Sequence, residues 1–199
     1  MGLAIFIEPH GGLKENILIW KAMVEAKFPD QPYCSHPPHS TLIHVNIQQE
    51  KMALEAISKM LKGFTAFKSK IVGNDVFWND KAAGGGHTLY WKFKSNRILY
   101  DLQKQLAEAL QPFIAVNPEP QFVNDNTLLK KSFDRYGSPF IGSHWIPHMT
   151  IASLQTRRDH PLIEEFLKQT GKYGMDVNEV SCWRVENDQH FCLIRQKLQ

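Results

Sequence analysis

The chain has 199 residues, the length of one domain or a closely joined pair. Hydrophobic residues at 43% and charged ones at 22% give the balance of an ordinary globular protein, which excludes disorder as the main state. A net charge of +3 tolerates an anionic ligand but is too small to argue for wrapping duplex DNA.

No apolar run approaches the roughly 20 residues that span a bilayer, so no membrane partner is expected. The opening MGLAIFIEPH has no basic region and no small-residue cleavage site, and is read as a first strand rather than a leader. Cys34, Cys182 and Cys192 lack the spacing of a disulfide framework or a thiolate zinc site. A reducing, cytoplasmic compartment is the default.

In chain order, residues 3–7 form a short apolar run ended by Pro9 and a glycine pair, as a buried strand would be. Leu13, Ile17, Trp20, Val24 and Phe28 recur at helical spacing until Pro29. A Pro-rich loop over 32–38 leads into a strand at 39–47, and a helix follows at 48–62. Strands are expected at 64–72, 75–78 and 87–93, the last after a hairpin turn at Gly84, Gly85 and Gly86. That triple glycine has no Lys-Ser/Thr after it and is not a phosphate loop.

The order then repeats. Ile98, Leu102, Leu106, Ala109 and Leu110 make a helix stopped by Pro112, and a long loop is expected over 117–143. The segment HWIPHMTIASL follows, then a helix holding Leu162, Ile163, Phe166 and Leu167. Two strands close the chain, at 175–185 and 191–197, with a polar turn at 186–189. Each half thus reads as helix, long loop, strand, helix, strands, which suggests an internal duplication of one α+β lobe.

The halves share a motif. Pro38-His39-Ser40-Thr41 matches Pro147-His148-Met149-Thr150, and His148 follows His39 by 109 residues, about half the chain. Strand side chains alternate, so His39 and Thr41 share a face, as do His148 and Thr150. A lone His-x-Thr on a strand is ordinary. Two copies at the same place in a repeated element order are not, and related by an approximate two-fold they would converge on one cleft. Imidazoles titrate near neutrality, so one can take a proton from water or a ribose hydroxyl while the other protonates a departing oxygen. The hydroxyls of Thr41 and Thr150 can donate to non-bridging phosphate oxygens.

The pair PHSTL and PHMTI resembles the two HxT/S signatures of the 2H phosphoesterase superfamily, which includes the bacterial 2′-5′ RNA ligase-like proteins and the cyclic phosphodiesterases. The resemblance runs along the whole chain. LAIFIEP, the lead into PHSTL and the stretch LKGFTAFKSKIVGNDVFWN are laid out as in the cyclic phosphodiesterase branch. HWIPHMTIASL is similar to the second motif of the 2′,5′-phosphodiesterase branch. It implies an α+β bilobal fold over residues 1–199 as a single domain, with two pseudo-symmetric lobes, antiparallel sheets backed by helices, and a central cleft. It implies His39 and His148 as general acid and base, in either order, and Thr41 and Thr150 as phosphate-binding residues. The implied reaction is hydrolysis of a 2′,3′-cyclic phosphate on a nucleotide or RNA 3′ end, or of ADP-ribose cyclic phosphate, with no metal or cofactor. Rivals are a 2′,5′-oligonucleotide phosphodiesterase, a 2′-5′ RNA ligase and, from another class, a non-catalytic RNA-end-binding module. Nothing suggests an obligate oligomer, so a monomer is expected.

Other residues carry weaker expectations. His144 is placed at the cleft rim, and neither it nor His36 has metal-ligand spacing with its neighbouring histidine. Arg135 and Tyr136, with Lys130 and Lys131, are read either as solvated loop or as a flexible lip that meets phosphates and stacks a base. Arg157 and Arg158 could do similar work. Trp78, Tyr90, Trp91 and Trp145 are candidates for stacking, although strand aromatics more often belong to the core.

Overall fold

A computed structural model describes every residue except Asn117 and Asp188. Its elements run β1 (Gly2–Ile7), α1 (Gly11–Lys27), β2 (Ser40–Asn46), α2 (Glu50–Leu61), β3 (Phe67–Asp80), β4 (Gly86–Phe93) and α3 (Arg97–Leu110). They continue with α4 (Gln121–Asn124), α5 (Thr127–Tyr136), β5 (His148–Leu154), α6 (Pro161–Leu167), β6 (Tyr173–Val177), β7 (Glu179–Glu186) and β8 (Gln189–Lys197). The strands form two antiparallel four-stranded sheets, ordered β2-β1-β7-β8 and β5-β4-β3-β6. The expected α+β fold of two pseudo-symmetric sheets backed by helices is therefore observed.

The sheets do not follow the halves of the chain, as the duplication reading expected. The run over 175–185 is not one strand. It divides at Asn178 into β6, which joins the second sheet, and β7, which returns to the first between β1 and β8. The buried alternation shifts by one residue there, from Met175 and Val177 to Val180 and Cys182, and the two strands take different partners. Helices also cross over. After β1, α1 packs on β5 of the other sheet, where Trp20 meets Phe166 of α6 edge-on at 5.1 Å. Phe166 meets Trp91 of β4 at 5.6 Å in turn. After β4, α3 packs against β2 and α2 on the first sheet. Each sheet is thus covered by the helix that leaves the other, and one apolar core runs through both.

Two further expectations need correction. The segments 64–72 and 75–78 are a single strand, β3, because Gly73 sits at a bulge and does not end it. Its ladder with β4 passes from Ile71–Phe93 to Gly73–Lys92, leaving Val72 extra. The supposed loop over 117–143, whose first residue lies outside the described residues, contains α4 and α5. The Asn126 side chain caps α5 by accepting from Leu128 and Leu129 N–H, and Gly137 ends it in the left-handed conformation that glycine adopts without strain. The triple glycine does turn the β3–β4 hairpin, with Gly84 and Gly85 at φ 70° and 87°. The closing turn over 186–189 includes Asp188, outside the described residues. Among the described residues no helix is long and apolar enough to cross a membrane.

Candidate functional site

The two His-x-Thr motifs occupy equivalent places. β2 and β5 are edge strands of their sheets and lie against each other. The middle residues, Ser40 and Met149, are buried, whereas His39, Thr41, His148 and Thr150 are half-buried on the opposite face, as strand alternation requires.

Both strands carry the same irregularity one residue after the threonine. In β1–β2 the pairing moves from Ile5–Ile43 to Phe6–Thr41, which leaves Leu42 extra. In β4–β5 it moves from Leu89–Ala152 to Tyr90–Thr150, which leaves Ile151 extra. A bulge puts two successive residues on the buried side and re-aims the ones before it. Leu42 with Ile43, and Ile151 with Ala152, are accordingly all buried. An aromatic residue faces each threonine across the ladder, Phe6 in one sheet and Tyr90 in the other.

Each imidazole is held by the carbonyl two residues upstream. His39 Nδ1 lies 2.7 Å from Pro37 O, and His148 Nδ1 lies 2.6 Å from Ile146 O. A carbonyl only accepts, so Nδ1 carries the proton, and in the neutral ring Nε2 keeps its lone pair for chemistry. His39 also stacks on Phe6 with centroids 3.9 Å apart. His148 meets Phe77 and Tyr90 edge-on, at 5.0 and 5.2 Å.

The surroundings differ in charge. Burial lowers the pKa of His39 to about 3 against the Pro37 bond, helped by the positive potential of His36, Lys21 and His190. The rings of His36 and His190 lie 6.4 and 6.3 Å from that of His39. Burial also lowers the pKa of His148, but the Ile146 bond and the charge of Asp80 oppose it. Thr88 Oγ1 donates to Asp80 Oδ2 at 2.7 Å and holds that carboxylate. Tyr33 connects the two clusters. Its ring meets His36 at 5.7 Å, its hydroxyl donates to Ala82 O at 3.3 Å, and burial together with Asp80 raises its own pKa.

Tyr136, Arg135 and His144 are placed elsewhere. Tyr136 ends α5 buried in the core, 8% exposed, rather than projecting from a loop. Arg135 is exposed and folds its guanidinium over the Tyr136 ring at 4.9 Å. His144 lies half-buried in the turn before β5. The ring and hydrogen-bond contacts of the described residues do not join these three to His39 or His148. Tyr90 is the one stacking candidate beside a motif histidine. Trp91 and Trp145 are core, and Trp78 lies beneath Arg158 at 4.3 Å. Among the described residues no three His, Cys, Asp or Glu side chains gather as metal ligands would.

Phe6, Phe77, Asp80 and His190 were not singled out from sequence. Phe6 lies in a continuous apolar run and Phe77 between Val76 and Trp78, where neither stands out from packing residues, and Asp80 and His190 become neighbours of the motifs only through the folding of the sheets.

Comparison with known proteins bears on this arrangement. The sequence pattern of the 2′-5′ RNA ligase superfamily matches residues 14–189. No curated protein matches the chain by sequence. Among solved structures, TT0787 of Thermus thermophilus is similar with a TM-score of 0.64 and 13% identity, covering 100% of this chain and 98% of that one. LigT of E. coli in apo form is similar with a TM-score of 0.61 and 14% identity, covering 100% of this chain and 97% of that one. LigT complexed with 3′-AMP gives 0.61 and 15%, covering 99% and 96%. At these identities the likeness is one of fold.

Proposed function

This chain belongs to the 2′-5′ RNA ligase superfamily of 2H phosphoesterases, and from that membership we propose that it hydrolyses 2′,3′-cyclic phosphates of nucleotides or RNA 3′ ends, or the related ADP-ribose cyclic phosphate, by two-histidine acid/base catalysis. The observation that carries this reading is the matched pair of Nδ1–carbonyl bonds at His39 and His148. Binding a phosphate would need only donors. Fixing the same tautomer twice, with Nε2 left for proton transfer, is what an acid/base pair needs.

In the proposed reaction the cyclic phosphate lies between the motifs with its non-bridging oxygens on the Thr41 and Thr150 hydroxyls. One neutral imidazole takes a proton from water at Nε2, and the water oxygen bonds to phosphorus in line with the leaving ribose oxygen. The other imidazole, protonated, gives its Nε2 proton to that oxygen as the P–O bond breaks. A ribose monophosphate is left. One histidine has gained a proton and the other has lost one, so exchange with solvent resets the site. Burial disfavours the imidazolium form of both rings in the free protein, and the anion itself favours the protonation that the reaction needs. The 3′-AMP held by LigT supports the substrate class, since it is a ribose monophosphate bound by a protein of this fold.

The reading includes a single domain acting as a monomer in the cytoplasm, without metal or cofactor. The test is turnover of 2′,3′-cyclic mononucleotides in EDTA, with 2′- and 3′-phosphates separated. Hydrolysis to one isomer, untouched by EDTA, is expected. Turnover only of 2′,5′-linked oligonucleotides, or joining of RNA ends, would replace this reading with a 2′,5′-phosphodiesterase or a ligase. Binding without turnover would make the chain an RNA-end-binding module.

A further inference from the structure

Lys21 is buried in the apolar stripe of α1 between Ile17 and Val24, with 6% of its surface exposed. Its Nζ donates to Tyr33 O at 2.6 Å, Cys34 O at 3.3 Å and Ile151 O at 2.7 Å. These three acceptors use all three N–H bonds of an ammonium. Two of them open the loop that delivers His39. The third belongs to the extra residue of the bulge directly after Thr150, so one cation ties the loop leading into the first motif to the strand that carries the second.

Two features make this more than a buried charge satisfied where it happens to lie. Tyr33 has φ 67°, a left-handed conformation costly for an aromatic residue, so the loop geometry must be imposed by tertiary contacts, and its carbonyl accepts the shortest of the three bonds. The equivalent helix of the other half carries Gln103, fully buried. It donates to Phe140 O at 2.8 Å and accepts from Gly142 N–H at 2.9 Å, both in the loop before His148. Gln103 thus holds its own loop, whereas Lys21 holds its own loop and reaches the opposite strand. Burial lowers the ammonium's pKa to about 8, so the charge is kept against a desolvation cost that a methionine of similar volume would escape.

We propose that Lys21 is a positioning residue that fixes the spacing between the His39–Thr41 and His148–Thr150 strands. The proposal deepens the phosphodiesterase reading and rests on it for its kinetic arm alone.

The test compares wild type with Lys21→Met, which has no donors, and Lys21→Gln, which has two. In imidazole-resolved NMR spectra recorded without substrate, Lys21→Met is expected to shift the signals of both His39 and His148 and to leave that of the exposed His10 in place. Lys21→Gln gives smaller shifts in the same directions. With a 2′,3′-cyclic mononucleotide, kcat of Lys21→Met falls tenfold or more while KM stays within threefold, and Lys21→Gln is intermediate. An unmoved His148 signal, or a kcat within threefold of wild type in the variants, would overturn the positioning role. Should Lys21→Met fail to fold, Lys21→Gln carries the same two readouts. If wild type itself turns over no cyclic phosphate, the phosphodiesterase reading fails and the NMR arm still decides the role of Lys21.

Discussion

Phe6 lies under His39 with ring centroids 3.9 Å apart and planes inclined by 25°, on the residue that pairs across the sheet with Thr41. A single strand position thereby supports both polar groups of the first motif. In the second motif the support is shared, with Tyr90 opposite Thr150 and Phe77 also against the His148 ring. Phe6→Leu keeps the apolar burial but loses the flat surface. It is expected to lower kcat three- to tenfold on a cyclic mononucleotide without unfolding the protein, as near- and far-ultraviolet circular dichroism would show. Unchanged kcat would mean that the Pro37 bond alone orients the ring.

His39→Ala and His148→Ala should each lower kcat by at least about 10²-fold, the smaller end of what one acid/base residue contributes. Thr41→Ala and Thr150→Ala remove one donor to the phosphate and should each lose less than either histidine variant. Steady-state kinetics on all four variants checks the ranking. Losses under tenfold in both histidine variants would sink the mechanism.

The pH profile should be displaced toward acid. Both imidazoles have pKa values lowered by burial, and the reactive form needs one of them protonated. Above both values the singly protonated free protein falls tenfold per pH unit, so kcat/KM should rise as pH drops from 8 and reach its maximum below 6.5. The profile of kcat should lie at higher pH, because a bound anion favours the imidazolium. A kcat/KM maximum above 7.5 would contradict the burial of the pair.

Stability should follow the same groups. His39 has a pKa near 6.5 when unfolded and about 3 when folded, so between these values the unfolded chain binds a proton that the folded protein does not. Folding is therefore weakened on acidification through that window, by at most about 1.4 kcal/mol per pH unit from this one group. His39→Gln cannot take up that proton. Its thermal midpoint should decline less than that of wild type between pH 6.5 and 4, and parallel declines would show that His39 is not desolvated.

Phe166 is fully buried between Trp20 of α1 and Trp91 of β4. Phe166→Ala should destabilise the protein by about 3–5 kcal/mol, the usual range for an aromatic truncated in a core. A urea titration with an unchanged slope would measure it. A loss below about 1 kcal/mol would indicate that α1 and α6 close over the gap.

Much of this was legible in the sequence, for physical reasons that differ by residue. Pro-His-x-Thr stands out because strand alternation turns four residues into one imidazole and one hydroxyl on a common face, and the repeat makes the pairing specific. The helices were legible wherever an apolar stripe ended at a proline or glycine. Asn126 and Gly137 were cap signals of that kind for α5, and a polar stretch around them obscured it. Lys21 and Gln103 sit inside apolar stripes, at the spacing of buried positions, and a polar residue there announces an internal bond without saying to what. The bulges at Leu42 and Ile151 leave only a doubled apolar pair, Leu42-Ile43 and Ile151-Ala152, which does not by itself tell a bulge from an ordinary strand. At Asn178 the sequence does show a change of apolar phase, but not that β6 joins β3 and β7 joins β1, strands more than 100 residues away.

The return of β7 to a place between β1 and β8 sets the order in which the molecule can be completed during synthesis. β1 leaves the ribosome well before residues 179–186, the neighbour that covers one of its two edges. Until those residues emerge, β1 can pair only with β2, and the strand beneath His39 presents an open row of backbone groups. Two separately expressed halves would each lack strands of their own sheet, so the protein is expected to be recovered from fragments only when both are made together. Its long-range pairing also predicts slow folding relative to a helical bundle of the same length.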